Sequence, residues 1–286
     1  VDVSEIMGKM PAMLDAQKQL EKFLEFHAGA NSAEVVNNYD WFKEFSFLGF
    51  LREAGKFLTV NYMMSKDSVK KRLETGISFT EFSYQLLQGY DFYHLYKTKN
   101  VRLQMGGSDQ WGNIIAGVEL IRRKEGAEAH ALTIPLVVDP ATGKKFGKSE
   151  GNAVWLDAQK TSPFQFYQFW LNASDEGVGT YLRLFTLLSL EEIAAIEADH
   201  ALDPGKRGAQ QRLAYTVTEL VHGRMQANAA QRVSEILFKG TPLAEVTPVE
   251  RDMLSATAPK HHATLGAPLT DELVSSGLAQ SKREAR

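Results

Sequence analysis

Cysteine is missing from the 286 residues, so neither disulfides nor thiolate-bound zinc can hold this chain together. Histidine is sparse, seven in all, and shows no metal-ligand spacing. The adjacent pair His261-His262 sits in a Pro/Lys/Ala/Thr stretch and reads as a solvated turn. No apolar run approaches the twenty or so residues that span a bilayer, and no signal-like segment stands at the start. Net positive charge is absent as well. At −3 the chain is no general binder of nucleic acid, and any such contact must rest on a local basic patch. What is present is 44% hydrophobic and 23% charged residues, enough for one large domain or two ordinary ones with real cores.

The stretch Ser78–Asn113 carries the most information. Ser78 and Glu81 form a capping-box pair that predicts a helix start. Between Phe82 and Tyr96 the only formal charge is Asp91, which predicts a helix buried on most sides. Tyr84, Gln88 and Asp91 are spaced i, i+4, i+7 and share one face, flanked by Leu87, Phe92 and Leu95. A phenol, an amide and a carboxylate in such a row need partners, because an orphaned buried polar group costs about 1–3 kcal/mol. The row is either a structural hydrogen-bond network or the wall of a pocket for a small polar ligand. After it come a strand at 101–105 and the turn Gly106-Gly107-Ser108-Asp109-Gln110, leading into a helix near Trp111. Strand, glycine turn and helix N-terminus is where open α/β sheets hold nucleotides.

In chain order, an amphipathic helix is predicted over 15–26, with Leu14, Leu20, Phe23 and Leu24 as its apolar stripe. A short strand at Val35-Val36, helix from Phe45 within the aromatic segment 41–57, and a helix over 61–73 ending in Lys70-Lys71-Arg72 follow. Helix over 111–126 and an apolar β run over 131–139 complete the α/β part. The basic loop Lys144-Lys145-Phe146-Gly147-Lys148-Ser149 misses the Walker A pattern, which needs glycine where Thr142 stands. It is either an exposed turn or a phosphate clamp. From Thr161-Ser162-Pro163 to Gly240 the pattern is all helical, which places a domain boundary near 160. Residues 241–267 read as a linker and 268–286 as a final amphipathic unit.

Together these motifs resemble the bacterial-type tyrosyl-tRNA synthetases, class I enzymes, from about residue 12 to the end. Tyr84, Gln88 and Asp91 match that family's tyrosine-binding helix, and Gly106 to Asn113 its adenylate turn. Lys145-Phe146-Gly147-Lys148-Ser149 is similar to its signature loop, with Phe-Gly in place of the commoner Met-Ser. The resemblance implies an α/β fold: a Rossmann-like catalytic domain lacking its first part over 1–160, then an all-α anticodon-side domain over 161–240 and the start of an S4-like RNA-binding domain at 268–286. It implies activation of L-tyrosine with ATP and transfer to tRNA(Tyr). Asp91 would take the phenolic hydroxyl, Tyr84 and Gln88 the ammonium, and Gln110 the carboxylate. Gly106, Gly107, Asp109 and Lys148 would hold the adenylate, with Lys145, Lys148 and Ser149 in catalysis and Mg²⁺ arriving with ATP. A cytoplasmic homodimer is implied, with a dimer surface around 40–80 that includes Phe79, and RNA contacts at Arg283 and Arg286. The family's His-Ile-Gly-His-type signature has no match here, nor have its early strand residues, so the chain resembles an internal piece of a longer enzyme. Two other expectations share these residues: a synthetase-derived module that binds RNA or tyrosine without ligase activity, and a relative acting on tryptophan.

Overall fold

The computed structural model describes residues 16–27, 29–138, 154–240, 242–243 and 246–286. The chain divides into two compact units, Val1–Val138 and Asp139–Arg286.

The first unit is built on α5 (Phe79–Lys99), which follows four short helices: α1 (Tyr39–Phe42), α2 (Phe47–Glu53), α3 (Val60–Met64) and α4 (Asp67–Leu73). The capping box forms as predicted, Ser78 Oγ accepting from the Glu81 N–H at 3.2 Å and Glu81 Oε2 from the Ser78 N–H at 3.2 Å. After α5 come β1 (Leu103–Gly107), a 3₁₀ turn (Ser108–Gln110), α6 (Trp111–Glu125) and β2 (His130–Ile134). The strands pair in parallel from Leu103↔His130 to Gly107↔Ile134, with α6 as the crossover between them. This is a parallel strand–helix–strand unit, as the strand, glycine turn and helix of the sequence implied. Leu103, Met105, Leu132 and Ile134 share one exposed face of this pair.

Helix α5 packs along α6. Phe92, Ile114, Ala116, Leu120 and Ile121 are buried at or beside that contact. Tyr90, on the next face, takes edge or tilted contacts from Phe42, Phe45 and Phe50, with centroids 5.1–6.1 Å apart. This aromatic cluster fixes α1 and α2 onto α5.

Several boundaries differ from the sequence reading. Residues 35–36 form no strand: the pair is too short to hold a ladder alone, and the Asn37 side chain accepts from the Tyr39 N–H, starting a turn. Among the described residues the first predicted helix ends at Leu20 rather than at Phe26, since Leu20, Phe23 and Leu24 lie exposed and its apolar stripe lacks the packing that sustains a helix. The helix expected from Phe45 starts at Phe47, where Ser46 caps it by accepting from the Gly49 N–H, and it ends at Glu53 before a 3₁₀ turn over Gly55–Phe57. The helix of 61–73 breaks at Ser65, whose hydroxyl donates back to the Tyr62 carbonyl at 2.7 Å.

The second unit is helical: α7 (Pro163–Leu171), α8 (Asp175–Phe185), α9 (Leu190–Leu202), α10 (Gly208–His222), α11 (Arg224–Lys239), α12 (Pro248–Thr257) and α13 (Leu269–Ser275). Helix α10 is its centre, burying Ala209, Leu213, Ala214 and Val217 against α7, α8, α9 and α11. The units divide at 138/139 rather than near 160; the Trp155 N–H donates to buried Thr161, tying 155–161 to the start of α7. The predicted linker 241–267 contains a helix, α12, that packs on α11 and buries Met253. Its capping box, Thr247 with Glu250 and Pro248 at the first turn, was visible in the sequence and outweighs the Pro/Thr/Ala composition. No described helix is long and apolar enough to cross a membrane.

Candidate functional site

Asp91 projects from the middle of α5 and is bound on both oxygens. Its Oδ1 accepts from the Trp41 indole N–H at 2.9 Å, and its Oδ2 from the Asn38 amide at 3.2 Å. Burial pushes the Asp91 carboxyl above the usual range, while the hydrogen bonds from Asn38 and Trp41 and the nearby His94 pull it back. A carboxylate offers about four acceptor positions. Two are used here, which leaves room for a hydroxyl from a ligand.

One turn earlier, Gln88 Oε1 accepts from Asn113 Nδ2 at 3.1 Å. The same Asn113 amide lies 3.5 Å from Gln110 Oε1, at the limit of a hydrogen bond. Asn113 stands in the first turn of α6, so this amide joins the polar row of α5 to the residue that ends the glycine turn. Gln88 and Gln110 are thus brought together. Tyr84, one turn further toward the start of α5, is 55% exposed. The face carrying the row is therefore open at Tyr84, while every other position from Phe82 to Tyr96 is buried or half-buried, as the sequence suggested. Its polar side chains form a wall rather than a closed internal network.

Gly106 and Gly107 are required for close approach, not for a left-handed backbone. A Cβ on Gly107 would stand 2.9 Å from Asp109 Oδ1 and 3.0 Å from Leu136 Cδ2; on Gly106 it would press on Gln110 and Ile114 at 3.3 Å. The turn is thus folded tightly over its own side chains at the end of β1. Asp109 lines a cleft of about 600 Å³ together with Ser65, Lys66, Lys71 and Trp111. The Lys66 side chain is almost wholly buried, with its ammonium 3.7 Å from the centre of the Tyr62 ring. Burial lowers its pKa, and Glu119 opposes that shift.

Lys145, Lys148 and Ser149 lie outside the described residues. Sequence reasoning missed Asn38, Trp41 and the linking role of Asn113. The first two sit about fifty residues before Asp91 in a segment that reads as a turn and an aromatic run, and no local pattern marks the pairing. Asn113 did carry a signal, its i+3 spacing from Gln110 on a helix start. Among the described residues no group of three His, Cys, Asp or Glu side chains could hold a metal ion.

The family model for tRNA synthetases class I (W and Y) matches residues 8–239. A tyrosine–tRNA ligase of Lactococcus lactis is 54% identical over 274 residues, covering 94% of this chain and 65% of that protein. One from Streptococcus equi subsp. zooepidemicus is 51% identical over 291 residues, covering all of this chain and 69% of that protein. The chain therefore spans about two thirds of the length of such relatives. Among solved structures, a C-terminally truncated mitochondrial tyrosyl-tRNA synthetase of Coccidioides posadasii superimposes with a TM-score of 0.60 at 30% identity, over 77% of this chain and 65% of that one.

Proposed function

Since this chain belongs to the class I tRNA synthetases of the tryptophan and tyrosine group, we propose that it carries the amino-acid-binding wall of a tyrosine–tRNA ligase. The observation that carries the reading is the joined row Asp91, Gln88, Asn113 and Gln110, with Asp91 keeping acceptor capacity beyond its two bound donors. A phenol hydroxyl donates to such a carboxylate in a charge-assisted bond. Over seven residues of helix the row extends roughly 10 Å, about the length of a tyrosine. Asp91 then reads the hydroxyl, Tyr84 and Gln88 hold the ammonium, and Gln110 meets the carboxylate.

Gly106, Gly107 and Asp109 serve the adenylate. The tyrosine carboxylate attacks the α-phosphorus of ATP, pyrophosphate leaves, and Lys145 and Lys148, with Ser149 beside them, steady the charge on the departing phosphates. This is catalysis by positioning and electrostatics, without a protein nucleophile. Mg²⁺ comes with the ATP phosphates, as that ion commonly does. In the second step a hydroxyl of the terminal adenosine of tRNA(Tyr) takes the tyrosyl group and AMP is released. The helical unit serves the anticodon side, with Arg283 and Arg286 on RNA beyond it, all in the cytoplasm where the substrates meet.

A homodimer is part of the proposal. Phe47, Leu48, Val60 and Phe79 of the first unit are each more than half exposed, an apolar load suited to a partner. Phe79→Asp is expected to shift the protein to monomer in light scattering.

Amino-acid-dependent ATP–pyrophosphate exchange by the full-length protein tests the reading. Tyrosine should drive exchange and tryptophan should not. Exchange with tryptophan alone, or tyrosine binding without any exchange, would overturn it.

A further inference from the structure

His94 is a titratable side chain that stacks on Trp41, a member of the Asp91 cluster. It lies three residues after Asp91 on α5, hence on the same face. Its imidazole stacks on the Trp41 indole, with centroids 4.5 Å apart and planes 16° from parallel. Trp41 itself comes from α1 and offers a single polar group, the Nε1–H that Asp91 accepts at 2.9 Å. The indole thus has its edge on Asp91 and one face on His94, and it also packs with Phe42 and the Tyr90 cluster.

We propose that His94 is a positioning residue for the amino-acid site: by stacking on Trp41 it fixes the direction of the indole N–H and so the orientation of the Asp91 carboxylate toward a ligand hydroxyl. The proposal rests on the tyrosine reading given above. Its physical basis is the half-buried setting of Asp91. A misplaced indole would leave one oxygen of a partly desolvated carboxylate without its donor, and the ionised form would become harder to keep. A neutral or a charged imidazole can stack on indole, and the charged form adds attraction to the ring face.

The groups that face His94 are few. Tyr90, with ring centroid at 6.4 Å, Asp91 and Lys99 come from its own helix, and Trp41 comes from α1. Lys99 is in turn paired with Glu34 at 2.7 Å. Burial lowers the His94 pKa; Asp91 acts against this and Lys99 with it. The balance favours the neutral imidazole, and protonation on the acid side sets a positive charge beside Asp91.

The test compares wild type, His94→Ala and His94→Phe in the full-length protein, measuring kcat and KM for tyrosine and phenylalanine from pH 5.5 to 8.5. His94→Ala should raise KM for tyrosine and cut the tyrosine/phenylalanine ratio by about tenfold, the equivalent of one weakened hydrogen bond, with kcat for tyrosine little changed. His94→Phe keeps a flat ring on the indole and should restore the ratio at pH 8. It should lack the change in tyrosine KM expected of wild type on the acid side, where His94 takes up its proton. An unchanged ratio in a folded His94→Ala would overturn the proposal. So would a His94→Phe variant no better than the alanine one, or, should the alanine variant fail to fold, a His94→Phe pH profile identical to wild type. A second readout needs no substrate: the Trp41 indole ¹H–¹⁵N signal, assigned through Trp41→Phe, should move and exchange faster in His94→Ala and return in His94→Phe. Failure of wild type to activate tyrosine would defeat the tyrosine reading alone, and the indole signal would still decide whether His94 positions Trp41.

Discussion

Gly117 of α6 lies so close to Phe92 of α5 that a methyl group on it would stand 2.8 Å from the Phe92 Cβ and 2.9 Å from its ring. Across the same seam, a Cβ on Gly89 would meet the backbone nitrogen of Gly117 at 3.2 Å. The helices that carry Gln88 and Asn113 are spaced by this contact. Gly117→Ala should destabilise the protein by about 1–3 kcal/mol through overpacking, even though alanine favours helix. Urea unfolding at constant m-value measures this; an unchanged midpoint would mean the seam opens at no cost.

Glu119 gives a pH-dependent prediction. Arg122 donates to it at 2.7 and 2.8 Å, and Arg123 adds a further contact. Hydrogen bonding from Arg122 first, then from Arg123, holds its carboxyl down at about 2 against 4.5 unfolded, with burial opposing. The folded pKa lies below the unfolded one, so the stabilisation is fully present above pH 4.5 and is lost as pH falls toward 2. The melting-temperature gap between wild type and Glu119→Gln should therefore be widest near neutrality and close over that window. Other carboxylates are common to both proteins and cancel in the difference.

Much of this was legible because it is local. The capping box at Ser78, the i, i+4, i+7 row and the strand–glycine–helix turn each depend on residues a few positions apart; the box forms as expected, Gln88 and Asp91 of the row find partners, and the strand lies two residues later than expected, over Leu103–Gly107, taking both glycines into the ladder. The break at Ser65 was equally local, but a single serine competes weakly with a hydrophobic pattern that runs through it. The partners of Asp91 were not legible. Asn38 and Trp41 reach it only because the Tyr90 cluster docks α1 on α5, and that docking is a tertiary event with no period in the sequence. The linker misreading came from trusting composition over the Thr247–Glu250 cap.

Arg207 is one of the two described non-glycine residues with positive φ, at 53°. Its guanidinium donates to the carbonyls of Leu171 and Ala173, at 2.7 and 3.2 Å, covering acceptors that the end of α7 leaves open. Arg207→Ala keeps the backbone strain and loses both bonds, and should cost about 1–3 kcal/mol. Arg207→Gly also loses the bonds but relieves the strain, so it should recover roughly 1 kcal/mol of that. Thermal or urea unfolding of the pair decides; a glycine variant less stable than the alanine one would argue against the strain.

The two ends of the α5 row should separate in kinetics. On the proposed reading Asp91 meets the hydroxyl that tyrosine carries and phenylalanine lacks, while Gln88 and Asn113 serve groups that both amino acids share. Asp91→Ala removes the acceptor and strands the Asn38 and Trp41 donors, so the preference for tyrosine over phenylalanine should fall by about a hundredfold or more, near 3 kcal/mol. Gln88→Ala and Asn113→Ala should weaken both amino acids to a similar degree and leave the ratio within about threefold, since each removes a contact worth roughly 1 kcal/mol to either ligand. The measurement is kcat/KM for both amino acids in the three variants of the full-length protein. Were Asn113→Ala to lower the ratio as much as Asp91→Ala, the hydroxyl would lie at the Gln88–Asn113 end, and the ligand would run along α5 in the opposite direction.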